Sequence, residues 1–439
     1  MPVTFWRKWL SLLGAIALSF LPNTCTAINH NQISKCGDRI QHMSITAISP
    51  TPNPNLVIFN GRLLPKSETF IRSQGEGLQL FTPYYVGARL IKGLPLPPER
   101  TLAINQGGIL GSAKELIFKY SGYAPQLSQQ LQQLNPKLIH AHFGVCGTLA
   151  LPLARSLKLP LMVTFHGLDA TMTDEYARKD SITTRIYLRR REALKQETKL
   201  FIAVSNFLKN RLIQQGFPAD RILVHYIGVD TKIFQPDPSI VREPVVLFVG
   251  RLVEKKGCQY LIEAMAKVQA AMPEVKLVVI GDGPLRGTVE NAAKSSLKNY
   301  QFLGIQPPEV VRNWMNRAKV FCVPSVQAAS GDCEGFGIVF AEAQAVGLPV
   351  VSFAHGGIPE AVAHNETGLL AKEGNSQELA DYILQLFQDS NLWQRFSFNA
   401  HNRIVKQFDL HQQIQVLENI YQAVVDEESA SQKTLTRFI

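Results

Sequence analysis

Short runs rich in Val, Ile, Leu and Phe alternate along most of this chain with longer stretches of helical periodicity. In the first half the runs stand at Leu56 to Phe59, Leu138 to Ala141, Leu161 to Phe165, Leu200 to Val204 and Ile222 to Tyr226. In the second they stand at Val245 to Val249, Val275 to Ile280, Val320 to Val323 and Pro349 to Phe353. Near-continuous apolar runs of this length read as strands buried on both faces, and the helical stretches between them predict parallel sheets wound with helices on each side. The junction falls in Phe234 to Pro244, where three prolines occur in eleven residues. The pattern thus predicts one α/β domain over residues 43–238, a second over 239–409, and over 410–439 an amphipathic helix with a frayed tail that crosses back to the first domain. Doubly wound sheets bind ligands at their strand carboxyl ends, so the expected site is the cleft between the two.

Length agrees with this division. At 439 residues and 46% hydrophobic, the chain is larger than one core usually supports. Charge is uneven: residues 1–240 carry 27 Lys and Arg against 14 Asp and Glu, whereas residues 241–439 carry 18 against 21. A basic first half suits a phosphorylated substrate or an anionic membrane surface. Nucleic acid is disfavoured, since neither zinc-finger spacing nor an aromatic RNA-binding signature is present. The six cysteines form no C-x-x-C pair and fit a reducing compartment, so the expected location is cytoplasmic, peripheral at the inner face of the membrane. Arg7 and Lys8 followed by the apolar run Leu10 to Leu21 look like a signal peptide, yet Met43 precedes the first convincing strand. Residues 1–42 are therefore expected to be a leader or a mis-assigned start.

The most informative segment is Ser330-Gly-Asp-Cys-Glu-Gly-Phe-Gly-Ile-Val-Phe-Ala-Glu342, which sets Glu334 and Glu342 eight residues apart around a predicted helix start near Gly337. Gly335 and Gly337 permit a tight turn and close backbone approach, and a helix beginning there aims free N–H groups at an anion. Two carboxylates beside an anion site suit a ligand that carries hydroxyls as well as phosphates. Taken alone, the segment reads equally well as a glycine turn ahead of a core helix. A second signal is Phe248-Val-Gly-Arg-Leu-Val-Glu-Lys-Lys-Gly257, where Arg251 and Lys256 leave a buried strand as a cation pair suited to a diphosphate. Gly281-Asp-Gly-Pro-Leu285 marks a further turn at which the backbone of Gly283 can approach a ligand, and its spacing is not that of a nicotinamide-binding fingerprint.

In order along the chain these segments, with Val204-Ser205, Gly228-Val-Asp230, Pro324-Ser325, Gly347-Leu-Pro-Val-Val351, Gly356-Gly-Ile-Pro-Glu360 and Gly368-Leu-Leu370, resemble the retaining glycosyltransferases of family 4, the group 1 glycosyltransferases with a GT-B fold of two Rossmann-like domains. Leu64 to Ile71, Ile139-His-Ala-His-Phe143 and Thr164-Phe-His-Gly-Leu-Asp169 resemble the colanic-acid and exopolysaccharide branch. The resemblance implies transfer of a hexosyl group from a nucleotide diphosphate sugar, with retention, to a glycan or lipid-linked acceptor. It places Arg251 and Lys256 on the diphosphate, Glu342 on the ribose hydroxyls and Glu334 on the donor sugar, with Gly283, Gly335, Phe336 and Gly337 beside the donor. It makes His166 the candidate contact near the reacting centre, and puts Ser67, Glu68, His142 and Asp169 on the acceptor side or against sugar.

His140 and His142 are expected on opposite strand faces, so that at most one reaches the cleft. The basic residues Arg185, Arg189, Arg190, Arg191, Lys195 and Lys199 are a candidate membrane or lipid-diphosphate contact, or else a solvated helix face. No D-x-D triplet occurs, consistent with the expected chemistry without a metal or cofactor. Retention is expected by same-face substitution rather than through a covalent adduct on Glu334. The alternatives are a noncatalytic nucleotide-sugar-binding protein and another GT-B enzyme such as an epimerase.

Overall fold

The computed structural model describes residues 53–436, so the expectations about residues 1–42 and Met43 fall outside the described residues. The first sheet has seven parallel strands: β1 (Asn55–Leu63), β2 (Thr82–Leu90), β3 (Thr101–Asn105), β4 (Leu138–His142), β5 (Leu161–Phe165), β6 (Leu200–Ala203) and β7 (Ile222–Val224). The second has six: β8 (Val245–Val249), β9 (Lys276–Ile280), β10 (Tyr300–Gly304), β11 (Val320–Cys322), β12 (Val350–Phe353) and β13 (Gly368–Ala371). Every residue of β4, β5, β11 and β12 is buried, because helices cover both faces of the sheets. The periodicity did not show β2, β3, β10 and β13. Three of these are sheet edges, and β3 and β10 are only half-buried at most positions, so no continuous apolar run marks them. In β2, a proline and a glycine interrupt the pattern.

Strand order decides where a ligand can sit. The orders are β3-β2-β1-β4-β5-β6-β7 and β10-β9-β8-β11-β12-β13, each reversing direction once, between β1 and β4 and between β8 and β11. At such a reversal the loops leave for opposite faces and open a crevice at the carboxyl edge. The two carboxyl edges meet. His166, just beyond β5, has its carbonyl so near Gly335, beyond β11, that a Cβ on that glycine would lie 2.1 Å from the oxygen. Cys333 N donates to Thr171 Oγ1 at 3.2 Å, and Thr173 N to Ser330 O at 3.1 Å.

The final helix, Leu410–Thr436, packs on the first sheet. Tyr421 is buried against it, its hydroxyl 2.7 Å from His140 Nδ1. Glu418 accepts bonds from the backbone N–H groups of Gln79 and Leu80 at 2.7 and 2.6 Å. The four described cysteines, Cys146, Cys258, Cys322 and Cys333, are all free and buried. Among the described residues no helix is long and apolar enough to cross a membrane.

Candidate functional site

The second domain's crevice is built from two loops that lock together. The loop after β8 binds the loop after β11 through Lys256 Nζ to Glu334 Oε2 at 2.5 Å, Lys255 Nζ to Asp332 Oδ1 at 3.0 Å and Val326 N to Lys255 O at 2.9 Å. Gly257 lies so close to Pro324 O that any side chain there would collide. Burial by itself would raise the Glu334 carboxyl, but the ammonium groups of Lys256 and Lys255, with the Lys256 and Ser325 hydrogen bonds, take it down to about 2. Glu334 is therefore a fixed anion. Lys256 spends one of its three N–H donors on it.

A helix does start beside this pair, at Ile338–Ala345, with Gly337 in the left-handed region at φ 76° and no side chain capping it. Its amino end thus leaves backbone N–H groups without a side-chain cap, as the sequence suggested. Glu342 is half-buried in that helix with no hydrogen bond or ion pair among the described residues, and burial pushes its carboxyl up to about 7. Arg251 is exposed at the end of β8. Gly283 serves the protein's own backbone: a Cβ there would fall 2.5 Å from Leu252 O, and Leu252 N donates to Asp282 O at 2.9 Å. Phe336 is buried between Tyr226 and Phe408, with ring centroids 5.5 and 5.3 Å away, and so anchors the glycine loop from behind.

Across the cleft, the first domain's crevice carries the histidines. His142 Nδ1 lies 3.0 Å from His166 Nε2, and the rings of Phe70 and Phe143 flank His166 at 4.9 and 4.8 Å. His166 Nδ1 is buried without a partner. Burial takes the His166 imidazole down to about 3, so it is neutral at physiological pH. Phe143, which follows His142 directly, takes a positive φ of 73°, a conformation costly for a side chain and characteristic of positions that a site over-determines.

The expectation that His140 and His142 face opposite ways is wrong. Their ring centroids lie 4.4 Å apart, tilted by 34°, because residues two apart on a strand share a face. His140 is nevertheless turned away from ligand duty, held between Tyr421 and Thr164 at 2.7 Å on both ring nitrogens.

Asp169 is buried and committed to backbone: its oxygens accept from Gly144 N at 2.7 Å, Gly167 N at 3.0 Å and His166 N at 3.2 Å. It holds the His166 loop in place. Burial pushes its carboxyl up to about 6 despite those bonds. Ser67 is exposed after β1, whereas Glu68 accepts from Asn60 Nδ2 at 2.6 Å and burial raises its carboxyl to about 7. The basic cluster disperses: Arg191 pairs with Asp174, Lys195 with Glu192 and Lys199 with Glu427, while Arg185 and Arg189 stay exposed.

Glu360 carried no predicted role, although its motif was visible. Its carboxylate reaches across the cleft and accepts from Asn206 N and Phe207 N at 2.8 Å each, and from Tyr226 OH at 2.9 Å. It thereby completes the cap of the helix Asn206–Gln214, whose Ser205 hydroxyl already accepts from Leu208 N.

Residues 229–403 match the family Glycosyl transferases group 1, and residues 93–233 match Glycosyltransferase Family 4. The Uncharacterized glycosyltransferase MJ1178 of Methanocaldococcus jannaschii is 30% identical over 294 residues, 66% of this chain and 76% of that protein. The chain belongs to the family 4, group 1 glycosyltransferases. Among its relatives in this family, the amylovoran biosynthesis glycosyltransferase AmsK of Erwinia amylovora is 34% identical over 254 residues, covering 56% of this chain and 60% of AmsK. The colanic acid biosynthesis glycosyltransferase WcaL of Escherichia coli, itself a provisional assignment, is 31% identical over 56% of this chain and 61% of its own length. The chain thus spans about three fifths of these two relatives. Its fold is similar to that of HepE of Anabaena, solved in complex with UDP-glucose, which superposes with a TM-score of 0.67 at 20% identity, over 84% of this chain and 99% of HepE. Two Rossmann-like domains facing a cleft, the GT-B arrangement, describe this family 4 glycosyltransferase.

Proposed function

We propose that this protein transfers a hexosyl group from a nucleotide diphosphate sugar to a glycan or lipid-linked saccharide, with retention, in the synthesis of an exopolysaccharide or cell-surface polysaccharide. The observation that carries the reading is the Lys256–Glu334 pair at the β8/β11 reversal, beside an uncapped helix start and directly across the cleft from His166. A diphosphate at the helix start meets the free donors of Lys256 and the exposed Arg251, which stabilise the charge that develops on the leaving group. In this reading the chemistry needs no metal. Glu342 accepts from the ribose hydroxyls, and Glu334 from the donor sugar.

Same-face substitution, in which the leaving phosphate takes the acceptor's proton, fits Glu334 better than double displacement. A carboxylate held at a pKa of about 2 by two ammonium groups is a poor nucleophile. The acceptor approaches over the first domain, past Glu68 and His142, and a lipid-linked acceptor would bring the enzyme to the inner face of a membrane. A panel of nucleotide sugars assayed for released nucleoside diphosphate, with the product's anomeric configuration read by NMR, tests the whole. Release with an α-to-α product from an α-linked donor is expected. Donor binding with no release for any acceptor would leave a nucleotide-sugar-binding protein, and isomerised donor would leave an epimerase.

A further inference from the structure

The helix Gly108–Ser121 in the first domain is inverted. Its buried residues are Glu115 and Phe118, and Glu115 is held by the half-exposed Arg89 at 2.7 Å, by Lys119 one turn on at 2.7 Å and by the buried Asn105 at 2.7 Å. Outward point Ile109, Leu110, Leu116, Ile117 and Tyr120, followed by Tyr123; Ile109 is 89% and Leu110 79% exposed. A helix that faces water normally shows the opposite arrangement, with its apolar stripe inward. Beside it lies a groove of about 550 Å³ lined by Ile104, Leu110, Ile117, Tyr123 and Leu127. Contiguous apolar surface of this kind marks something apolar that covers it.

The charges around the patch say what. Between Thr101 and His142 the sole acidic side chain is Glu115, which is buried, against Lys114, Lys119 and Lys137. Lys114 is exposed on the same helix, and Arg190 donates to Tyr120 O at 2.6 Å, which brings the helix Ile182–Glu197 with its exposed Arg185 and Arg189 alongside. Aliphatic and tyrosine side chains with Lys114 on the same helix and Arg185 and Arg189 on the neighbouring one, whose exposed acids Glu192 and Glu197 are neutralised by Lys195 and Arg155, match the interface of an anionic lipid bilayer.

We propose that the face of Gly108–Ser121 and Tyr123 is a membrane-docking surface for an anionic lipid bilayer, with the groove taking a lipid chain. The proposal deepens the acceptor side of the proposed function and rests on it for its purpose. The membrane contact shifts from the six-residue basic cluster to this helix, with Arg185 and Arg189 as flanking charges.

Flotation of the full chain with phosphatidylcholine vesicles, with and without about one third phosphatidylglycerol, tests it. The chain is expected to float with the anionic vesicles only, and the Leu110→Glu/Ile117→Glu double variant to lose at least about tenfold of that binding. Lys114→Glu, which removes no apolar contact, is expected to lose part of it and serves if the double variant does not fold. Flotation of the double variant at the wild-type level, or equal flotation with neutral vesicles, overturns the proposal. So does a lipid-free dimer that the double variant dissociates, which would give the face to a second copy. UDP binding, the probe for the donor site, is expected to be unchanged in both variants. Failure of the wild-type chain to bind any nucleoside diphosphate would count against the transfer reading and leave the surface standing.

Discussion

Lys256 Nζ lies 2.5 Å from Glu334 Oε2, so the cation expected on the diphosphate and the carboxylate expected on the donor sugar are one ion pair. Each side chain fixes the other, and removing either leaves a charge in a partly desolvated crevice.

Lys256→Ala is accordingly expected to lower kcat/KM by about 10²–10³, through both donor affinity and leaving-group stabilisation. Arg251→Ala, which removes an exposed side chain, should act more weakly and in the same direction. Steady-state kinetics with a saturating acceptor distinguish these, and full activity in the Arg251/Lys256 double variant would remove the diphosphate assignment.

The same pair sets a pH dependence of stability. The Glu334 carboxyl drops from 4.5 to about 2 on folding, so its ionised form stabilises the native state above the ordinary glutamate range. That contribution is lost as pH falls from about 4.5 to about 2. Denaturant titrations in this window should show a shallower acid slope for Glu334→Gln than for the wild type.

Glu342 has the opposite shift. With its carboxyl raised to about 7, it is half-protonated near neutrality and becomes a full acceptor for ribose hydroxyls only above that pH. Donor KM is expected to fall as pH rises from below to above about 7, with kcat little changed. Glu342→Gln should flatten the profile, and an unchanged KM profile in that variant would remove the residue from the ribose.

His166 should contribute as a neutral imidazole. Its pKa of about 3 predicts no histidine inflection in the kcat profile between the ordinary carboxylate and lysine ranges, and NMR of the ring nitrogens should show no titration there. His142→Ala removes the bond to Nε2 and frees the ring to turn. About a 10²-fold loss confined largely to kcat is expected for a misplaced contact group, with donor KM kept.

Glu360 joins the two domains through Asn206 N, Phe207 N and Tyr226 OH. Glu360→Ala leaves Asn206 N and Phe207 N unpaired, with Ser205 still capping Leu208 N, and is expected to cost about 1–3 kcal/mol of the closed arrangement. Small-angle scattering should then show a larger radius of gyration, with far-UV circular dichroism unchanged.

Much of this was legible from the sequence. Runs such as Val245 to Val249 and Leu161 to Phe165 reveal their strands because a central parallel strand must be apolar on both faces. The helix start at Gly337 was legible too, since a left-handed glycine ahead of an apolar periodic run is a local signal. The edge strands β3 and β10 were not, because half-exposed strands need no continuous apolar run.

What lies across space had no local signal at all. Asp169 and Glu334 look alike as carboxylates just past a strand end, yet one is bound by three backbone N–H groups at 3.2 Å or less and pushed up to about 6, the other is bound by Lys256, with the charge of Lys255 nearby, and pulled down to about 2. Sequence by itself determined the family, the two wound sheets and the residue types at the cleft, because those follow from local periodicity and ordered motifs. Only the tertiary structure decided which charge meets which: Lys256 with Glu334, Glu360 with the Asn206 helix, and Glu115 inward beneath an apolar outer face. Partner and burial, not residue type, set a carboxylate's charge and reach.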